Sequence, residues 1–345
     1  MRDNYHAWDI NLEGFPKQGS ISEQLCFLVS FAVLAPSSHN SQPWKFTIKD
    51  DSVMVRADVR RSLPESDKNN RQLFISLGCA AENLRVAGEY YGLQSTIEYL
   101  PDGMRVRFME KVHMEQKNPD HLIFSIPRRV TNRNPYTSQL PDEHFLATIR
   151  SMALSGVQLT LVTDEQKRSA LANVVLAAGV AAMGGKGFRR ELSHYVRSNI
   201  TRERTGMPCF GFGIPTPVSF VAPLMMRFLN MNKMTRGKDE KLLKQRTPIF
   251  GIISSESDDS EAWMRTGMFY EYMALEATRV GISTAPMAAA IQIGEYYKNL
   301  QRILSLTTRP QFFFRMGYSV RSAPHVSPRI VSNKVTVGDD VNYME

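Results

Sequence analysis

The segment Ala35–Trp44 reads Ala-Pro-Ser-Ser-His-Asn-Ser-Gln-Pro-Trp. It gathers the hydroxyls of Ser37, Ser38 and Ser41 with the carboxamides of Asn40 and Gln42. Such neutral donors and acceptors hold a planar heterocycle or a phosphate without contributing charge. Pro43 and Trp44 stiffen the end of the segment. A turn whose Ser and Asn side chains satisfy their own backbone has a similar composition, but the full string is more particular than a turn requires. Short basic runs at Arg60-Arg61, Arg128-Arg129 and Arg189-Arg190 suit a phosphate-bearing small ligand, because guanidinium forks grip phosphate bidentately. The remaining Lys and Arg are scattered, whereas nucleic-acid binding calls for a basic stripe interleaved with aromatics.

Other chemistries find no support. The seven histidines form no HExxH or other close pair for zinc. Neither a GxGxxG fingerprint nor a GxxxxGK[ST] loop is present. Cys26, Cys79 and Cys209 make neither a disulfide framework nor a CxxC pair, which fits reduced thiols in a cytoplasmic protein. The start, Met1-Arg2-Asp3-Asn4, lacks the apolar core of a secretory signal. The most apolar run, Val218–Leu229, carries Pro223 and Arg227 and is too short to span a bilayer. The 345 residues, 43% hydrophobic and 22% charged with a net charge of +8, describe a globular chain with room for two domains. No membrane or nucleic-acid partner is expected.

The elements that must position the polar loop follow from periodicity and caps. Ser20 and Glu23 form a capping box before a helix over about Ser22–Ala35, stopped by Pro36. Strands are predicted at Lys45–Ile48, Val53–Ala57 and Met104–Phe108, with a helix over about Lys68–Tyr91 ending at Gly92. Lys111–His121 reads as a linker. Beyond it come a helix at Asp142–Leu154, a strand at Val157–Val162, and a helix to Met183 opened by a Thr163–Gln166 capping box. A strand at Thr247–Ile253, a helix at Glu261–Val280 closed by Gly281, and a strand at Gln311–Tyr318 complete the set. Gly78-Cys-Ala-Ala-Glu82 through Gly92-Leu93 aligns without gaps on Gly267-Met-Phe-Tyr-Glu271 through Gly281-Ile282. With the shared order of elements, this predicts a duplicated α+β unit.

The loop resembles the signature of the nitroreductase family, P-S-S-x-N-S-Q-P-W, matched continuously at Pro36, Ser37, Ser38, Asn40, Ser41, Gln42, Pro43 and Trp44. The resemblance, to the long double-domain members typified by the mycobacterial Acg protein, runs from about Ser22 to Arg329. It implies a nitroreductase-like α+β fold whose two tandem halves form an intramolecular pseudo-dimer. The first half is 1–120 and the second 121–345, with an unmatched insertion at 184–246. In the family an R-x-S-x-R/K segment holds the FMN phosphate across the dimer interface. It is absent before the first helix here and appears instead at Arg128-Arg129-Val130-Thr131-Asn132-Arg133, ahead of the first helix of the second half. The second half lacks the polar loop, so one FMN per chain is expected.

The FMN contacts this resemblance implies are Ser37, Ser38, Asn40, Gln42, Arg128, Arg129, Thr131, Arg133, Pro286, Met287 and Arg329. No residue is assigned a catalytic role, His39 included, and no metal is expected. The implied activity is NAD(P)H-dependent reduction of a nitroaromatic or quinone-type small molecule by ping-pong hydride transfer, without a Rossmann motif because NAD(P)H binds transiently over the flavin. Two other readings stand beside it: a flavin-sequestering protein with little turnover, and a flavin-dependent dehydrogenase acting on a ring. The insertion, with Gly206-Met207-Pro208-Cys209-Phe210-Gly211-Phe212-Gly213, is either a mobile cover over the cofactor or an extra packing element. The internal pseudo-dimer allows a monomer, and a homodimer stays open.

Overall fold

A computed structural model describes residues 3–110, 119–152, 154, 156–230, 232–321, 327–331 and 336–337. The first half runs α1 (Ile21–Ala32), β1 (Trp44–Lys49), β2 (Ser52–Ala57), α2 (Arg71–Tyr90), β3 (Leu93–Leu100) and β4 (Gly103–Glu110). The second opens with α3 (Glu143–Ser151), β5 (Val157–Val162) and α4 (Glu165–Gly184). An inserted stretch follows, with α5 (Lys186–Tyr195), β6 (Val196–Arg197), β7 (Met207–Pro208), α6 (Thr216–Ser219), α7 (Ala222–Phe228) and α8 (Asn232–Gln245). The second half resumes with β8 (Ile249–Ser255), α9 (Ser260–Arg279), β9 (Ser283–Pro286), α10 (Ala289–Gln292), α11 (Tyr296–Leu304) and β10 (Arg309–Gly317), and β11 (Thr336–Val337) ends the described chain.

The α+β expectation holds, and the two main sheets are built alike. One has the order β1-β2-β4-β3 and the other β5-β8-β10-β9, each antiparallel throughout. Each second strand leads into a long helix, α2 or α9, and each helix ends at a left-handed glycine, Gly92 (φ 82) or Gly281 (φ 76). The C-terminal β11 crosses to the first sheet and pairs in parallel with β1. In the second sheet the strand period sorts side chains into two cores. Ile249, Ile253, Phe312 and Phe314 join the large core with α9, whereas Phe250, Ile252 and Phe313 pack against Leu171 and Val175 of α4. Coverage on both faces explains why every residue of β8 is buried.

Helix starts follow short acidic and hydroxyl caps. The Ser20–Glu23 box is present: Glu23 N–H donates to Ser20 Oγ at 3.3 Å and Ser20 N–H to Glu23 Oε2 at 2.7 Å. α1 then buries Leu25, Leu28, Val29 and Ala32 on one stripe. The expected Thr163–Gln166 box is corrected. Asp164 is the cap, accepting from Lys167 N–H at 2.8 Å, because its carboxylate sits one residue nearer the first turn. α2 begins at Arg71 rather than Lys68, since Asp67 accepts from the N–H groups of Gln72 and Leu73 at 3.0 Å each. Most of the expected linker Lys111–His121 lies outside the described residues. β3 and β9 were not anticipated; each is the strand that follows directly on a helix-ending glycine.

α2 and α9 cross at a reciprocal glycine contact. A Cβ on Gly78 would lie 2.0 Å from Met264 O, and one on Gly267 would lie 1.9 Å from Ile75 O. Only hydrogen fits on either side. Cys79 Sγ adds a contact to Gly267 O at 3.2 Å. Gly267→Ala should therefore destabilise the chain by about 2–3 kcal/mol, the upper range for overpacking. Urea denaturation would show it as a lowered midpoint, and an unchanged midpoint would mean the helices can part without cost.

Candidate active site

The polar loop is held in an unusual backbone conformation. His39 (φ 53), Asn40 (φ 55) and Gln42 (φ 53) all lie in the left-handed region, at roughly 1–2 kcal/mol for each non-glycine residue. Polar ties offset this strain. Asn40 Nδ2 donates to Gly206 O and Pro328 O, both at 2.9 Å, while its Oδ1 accepts from Arg329 Nη1 at 2.5 Å. Gln42 Nε2 donates to Arg204 O at 2.7 Å, and its Oε1 accepts from Ile330 N–H at 2.9 Å. Ser37 Oγ accepts from Gln42 N–H at 3.0 Å. The loop is thus pinned between the insertion and the C-terminal segment.

Beside it lies a cleft of two adjoining compartments that share Pro36, Ser37, Thr131, Arg133 and Met207. The larger encloses about 260 Å³. Gln72, Ser76 and Cys79 of α2, Tyr270 of α9, and Phe312 of β10 line one part of it, and Ser38, Pro286 and Phe188 of the insertion line the rest. The smaller, about 60 Å³, adds Asn40, Arg129 and Arg329. Both halves of the chain and the insertion therefore contribute to one space.

The arginines around it are spent differently. Arg129 is buried with its Nε 2.9 Å from the carboxylate of Glu271, close but poorly aligned for a hydrogen bond, and its Nη2 donates to Leu34 O. Burial, opposed by Arg129, pushes Glu271 up to about 7. Arg329 donates to the carbonyls of Leu34, Ala35 and Pro328 as well as to Asn40, and burial followed by Arg129 pulls its pKa down to about 9. Arg315 donates to Asn134 O at 2.9 Å and lies over the Tyr136 ring. Arg133 has no ion pair with any described carboxylate; it lies over the Phe212 ring at 5.0 Å. It is exposed and lines both compartments of the cleft, and desolvation followed by Arg315 lowers its pKa.

His39 also faces the larger compartment. Its Nε2 is 3.4 Å from Ser66 Oγ, and burial followed by Arg133 depresses it to about 4, so the ring is neutral. Ser66 Oγ in turn donates to Glu191 of α5, whose carboxylate also accepts from the N–H groups of Glu65 (2.8 Å) and Ser66 (3.0 Å). This is a second tie between the first half and the insertion.

The expected contacts divide accordingly. Ser37, Ser38, Thr131, Arg133 and Pro286 line the cleft; Asn40, Arg129 and Arg329 border its smaller part while bound to protein partners. Three of the expected residues lie outside it. Gln42 is fully buried and lines neither compartment, its amide being used in ties. Arg128 is exposed and lines neither, and Met287 packs against the second core instead. Gln72 and Ser76 were missed, although a polar pair four residues apart on an otherwise buried helix was a readable signal. Phe188 and Tyr270 had none.

No family model matches the chain. The chain is 24% identical over 313 residues to a Mycobacterium tuberculosis protein provisionally named an NAD(P)H nitroreductase, Rv3131, covering 89% of this chain and 88% of that one. It is 22% identical over 321 residues to the provisionally named NAD(P)H nitroreductase acg of the same organism, covering 87% and 91%. The chain is similar along most of its length to these two provisionally named nitroreductases. Among solved structures, the FMN-dependent nitroreductase NfnB of Mycobacterium smegmatis in complex with NADPH gives a TM-score of 0.40 at 15% identity, over 60% of this chain and 92% of that one. A nitroreductase with bound FMN from Bacteroides fragilis also gives 0.40 at 15%, over 63% and 98%.

His39 and Glu271 set opposed pH dependences in this chain. His39 is neutral in the fold, so its contribution to stability is lost as pH falls from 6.5 towards about 4. Glu271 keeps its proton up to about 7, so its contribution is lost as pH rises from 4.5 towards 7. The two slopes overlap and oppose. His39→Asn should therefore give a denaturation midpoint that falls as pH rises from 4.5 to 7, and Glu271→Gln one that falls as pH drops below 6.5. Variants whose midpoints track the wild type in parallel would refute both assignments.

Proposed function

We propose that the chain is an FMN-dependent NAD(P)H oxidoreductase acting on nitroaromatic or quinone-type acceptors in alternating half-reactions. The observation that carries this reading is Arg133, an exposed guanidinium that lines both compartments of the cleft and lacks any described carboxylate partner. An unpaired cation lining a cleft raises the local concentration of anions, so the site favours an anionic ligand group. Thr131 and Ser37 stand beside it with hydroxyls, a donor set that suits a phosphate group. The larger compartment, walled by Tyr270, Phe312, Pro286 and Phe188 with a few polar groups from α2, suits a planar ring.

When bound, FMN would take hydride from NAD(P)H and pass it to the acceptor, which is chemistry the cofactor owns. The side chains have the remaining tasks. Arg133, with Thr131 and Ser37, would hold the phosphate end. Ser38, Gln72 and Ser76 would orient the ring by neutral hydrogen bonds, and Phe188 and Met207 would limit water.

We read the chain as two tandem nitroreductase-like halves, 1–120 and 121–345, fused as a pseudo-dimer with the 184–246 insertion as a cover. The matched sheet orders and the reciprocal glycine contact support it. The composite cleft, with Ser37 and Ser38 from one half and Thr131 and Arg133 from the other, supports one flavin per chain.

The purified protein should show a flavin spectrum at about one FMN per chain after denaturation. Arg133→Gln should weaken FMN binding roughly tenfold to a hundredfold, the loss of a hydrogen bond to a charged group, while Arg128→Gln should leave it unchanged. Equal FMN affinity in both variants would defeat the phosphate assignment. Steady NAD(P)H oxidation with a nitro or quinone acceptor is the expected activity; a tightly held flavin without turnover would make the protein a flavin store.

A further inference from the structure

The insertion turns a second, unlike face to solvent. Phe220 (57% exposed), Leu224 (61%) and Phe228 (67%) recur four residues apart through α6 and α7, and Val218, Val221 and Leu229 beside them are also exposed. Single exposed apolar side chains are ordinary, but contiguous patches mark an interaction surface. Next to this ridge runs an open groove of about 680 Å³. Arg190, His194 and Arg197 form one wall, and Phe220, Leu224 and Arg227 the other. None of its lining residues is acidic. Arg190 and Arg227 are exposed and make no ion pair with a described carboxylate.

We infer that this face seats on an anionic bilayer surface, with the Phe220–Leu224–Phe228 ridge in the interface and Arg190 and Arg227 against lipid phosphates. An apolar stripe flanked by cations is the combination that holds a segment in the plane of a membrane, and length does not matter for that mode. The run Val218–Leu229 is too short to cross a bilayer, which rules out spanning and leaves surface seating untouched. Charge complementarity selects lipid over a second copy of the chain. A symmetric contact through this face would set the same arginines against each other. Long-range attraction by a chain of net charge +8 acts in the same direction. The inference concerns the outer face and does not depend on what the cleft binds.

The test uses the full chain and sedimentation with vesicles of phosphatidylcholine, alone or mixed with an equal share of phosphatidylglycerol. The protein should pellet with the mixed vesicles at low salt and be released as salt rises. Leu224→Asp should lower binding by roughly tenfold or more, and Arg227→Gln by roughly fivefold. Both sites are exposed, so circular dichroism should be unchanged. Arg150→Gln, exposed on α3, should bind like wild type. No pelleting at low salt, undiminished binding of Leu224→Asp, or an equal loss with Arg150→Gln would overturn the proposal. So would a wild-type dimer in solution that Leu224→Asp converts to monomer, since the ridge would then be a contact between copies.

Discussion

Two helices reach backbone contact only where neither carries a side chain at the crossing. α2 and α9 satisfy that condition at Gly78 and Gly267, and each glycine lies against the turn that precedes the other: Gly78 against Met264, Gly267 against Ile75. Much of the site rests on this crossing. Gln72, Ile75, Ser76 and Cys79 reach the cleft from α2, and Tyr270 reaches it from α9 one turn beyond the contact. Glu271, next along α9, lies 2.9 Å from Arg129 Nε and so anchors the segment that leads to Arg133. A wider crossing would separate the loop of one half from the arginines of the other.

The same geometry imposes an electrostatic division of labour. Arg129, Arg315 and Arg329 are buried in one region beside the exposed Arg133, where mutual repulsion and desolvation would be prohibitive without partners for the buried three. Glu271 lies against one, at 2.9 Å from Arg129 Nε. Backbone carbonyls at 34–35, 132, 134 and 328 and the Tyr136 ring absorb two more. Arg133 lines both compartments of the cleft, with the Met207 thioether and the Phe212 ring beside it and no described carboxylate partner. Three arginines build the floor, and the fourth presents the charge.

This explains which parts of the site could be read from the sequence. The segment Ala35–Trp44 stood out by residue type and Arg129 and Arg133 by the family resemblance, and the cleft joins the segment to both arginines. The roles within the segment did not stand out, because Asn40 and Gln42 have chemistry equally suited to a ligand and to a carbonyl. The choice depends on their left-handed backbone, which turns both amides towards Arg204, Gly206, Pro328 and Ile330, positions far away in sequence. Capping boxes behaved likewise. Ser20–Glu23 was correct because nothing competes, while Thr163 lost to an adjacent aspartate. Helices with strong periods and glycine ends were legible; the edge strands β3, β9 and β11 were not, since pairing across the sheet rather than local pattern makes them.

The insertion belongs to the site more closely than a cover laid over it. Asn40 bonds Gly206, Gln42 bonds Arg204, and Glu191 takes three hydrogen bonds from residues 65 and 66. Phe188 and Met207 reach the cleft from between these ties. Any outward swing of the insertion must break bonds that hold Asn40 and Gln42 in left-handed conformations, so it would relax the loop that carries Ser37 and Ser38. Access and ligand-binding geometry are therefore coupled through the backbone strain of residues 39–42. A closed insertion enforces the loop shape, and a loop held in that shape by a ligand would in turn favour the closed insertion.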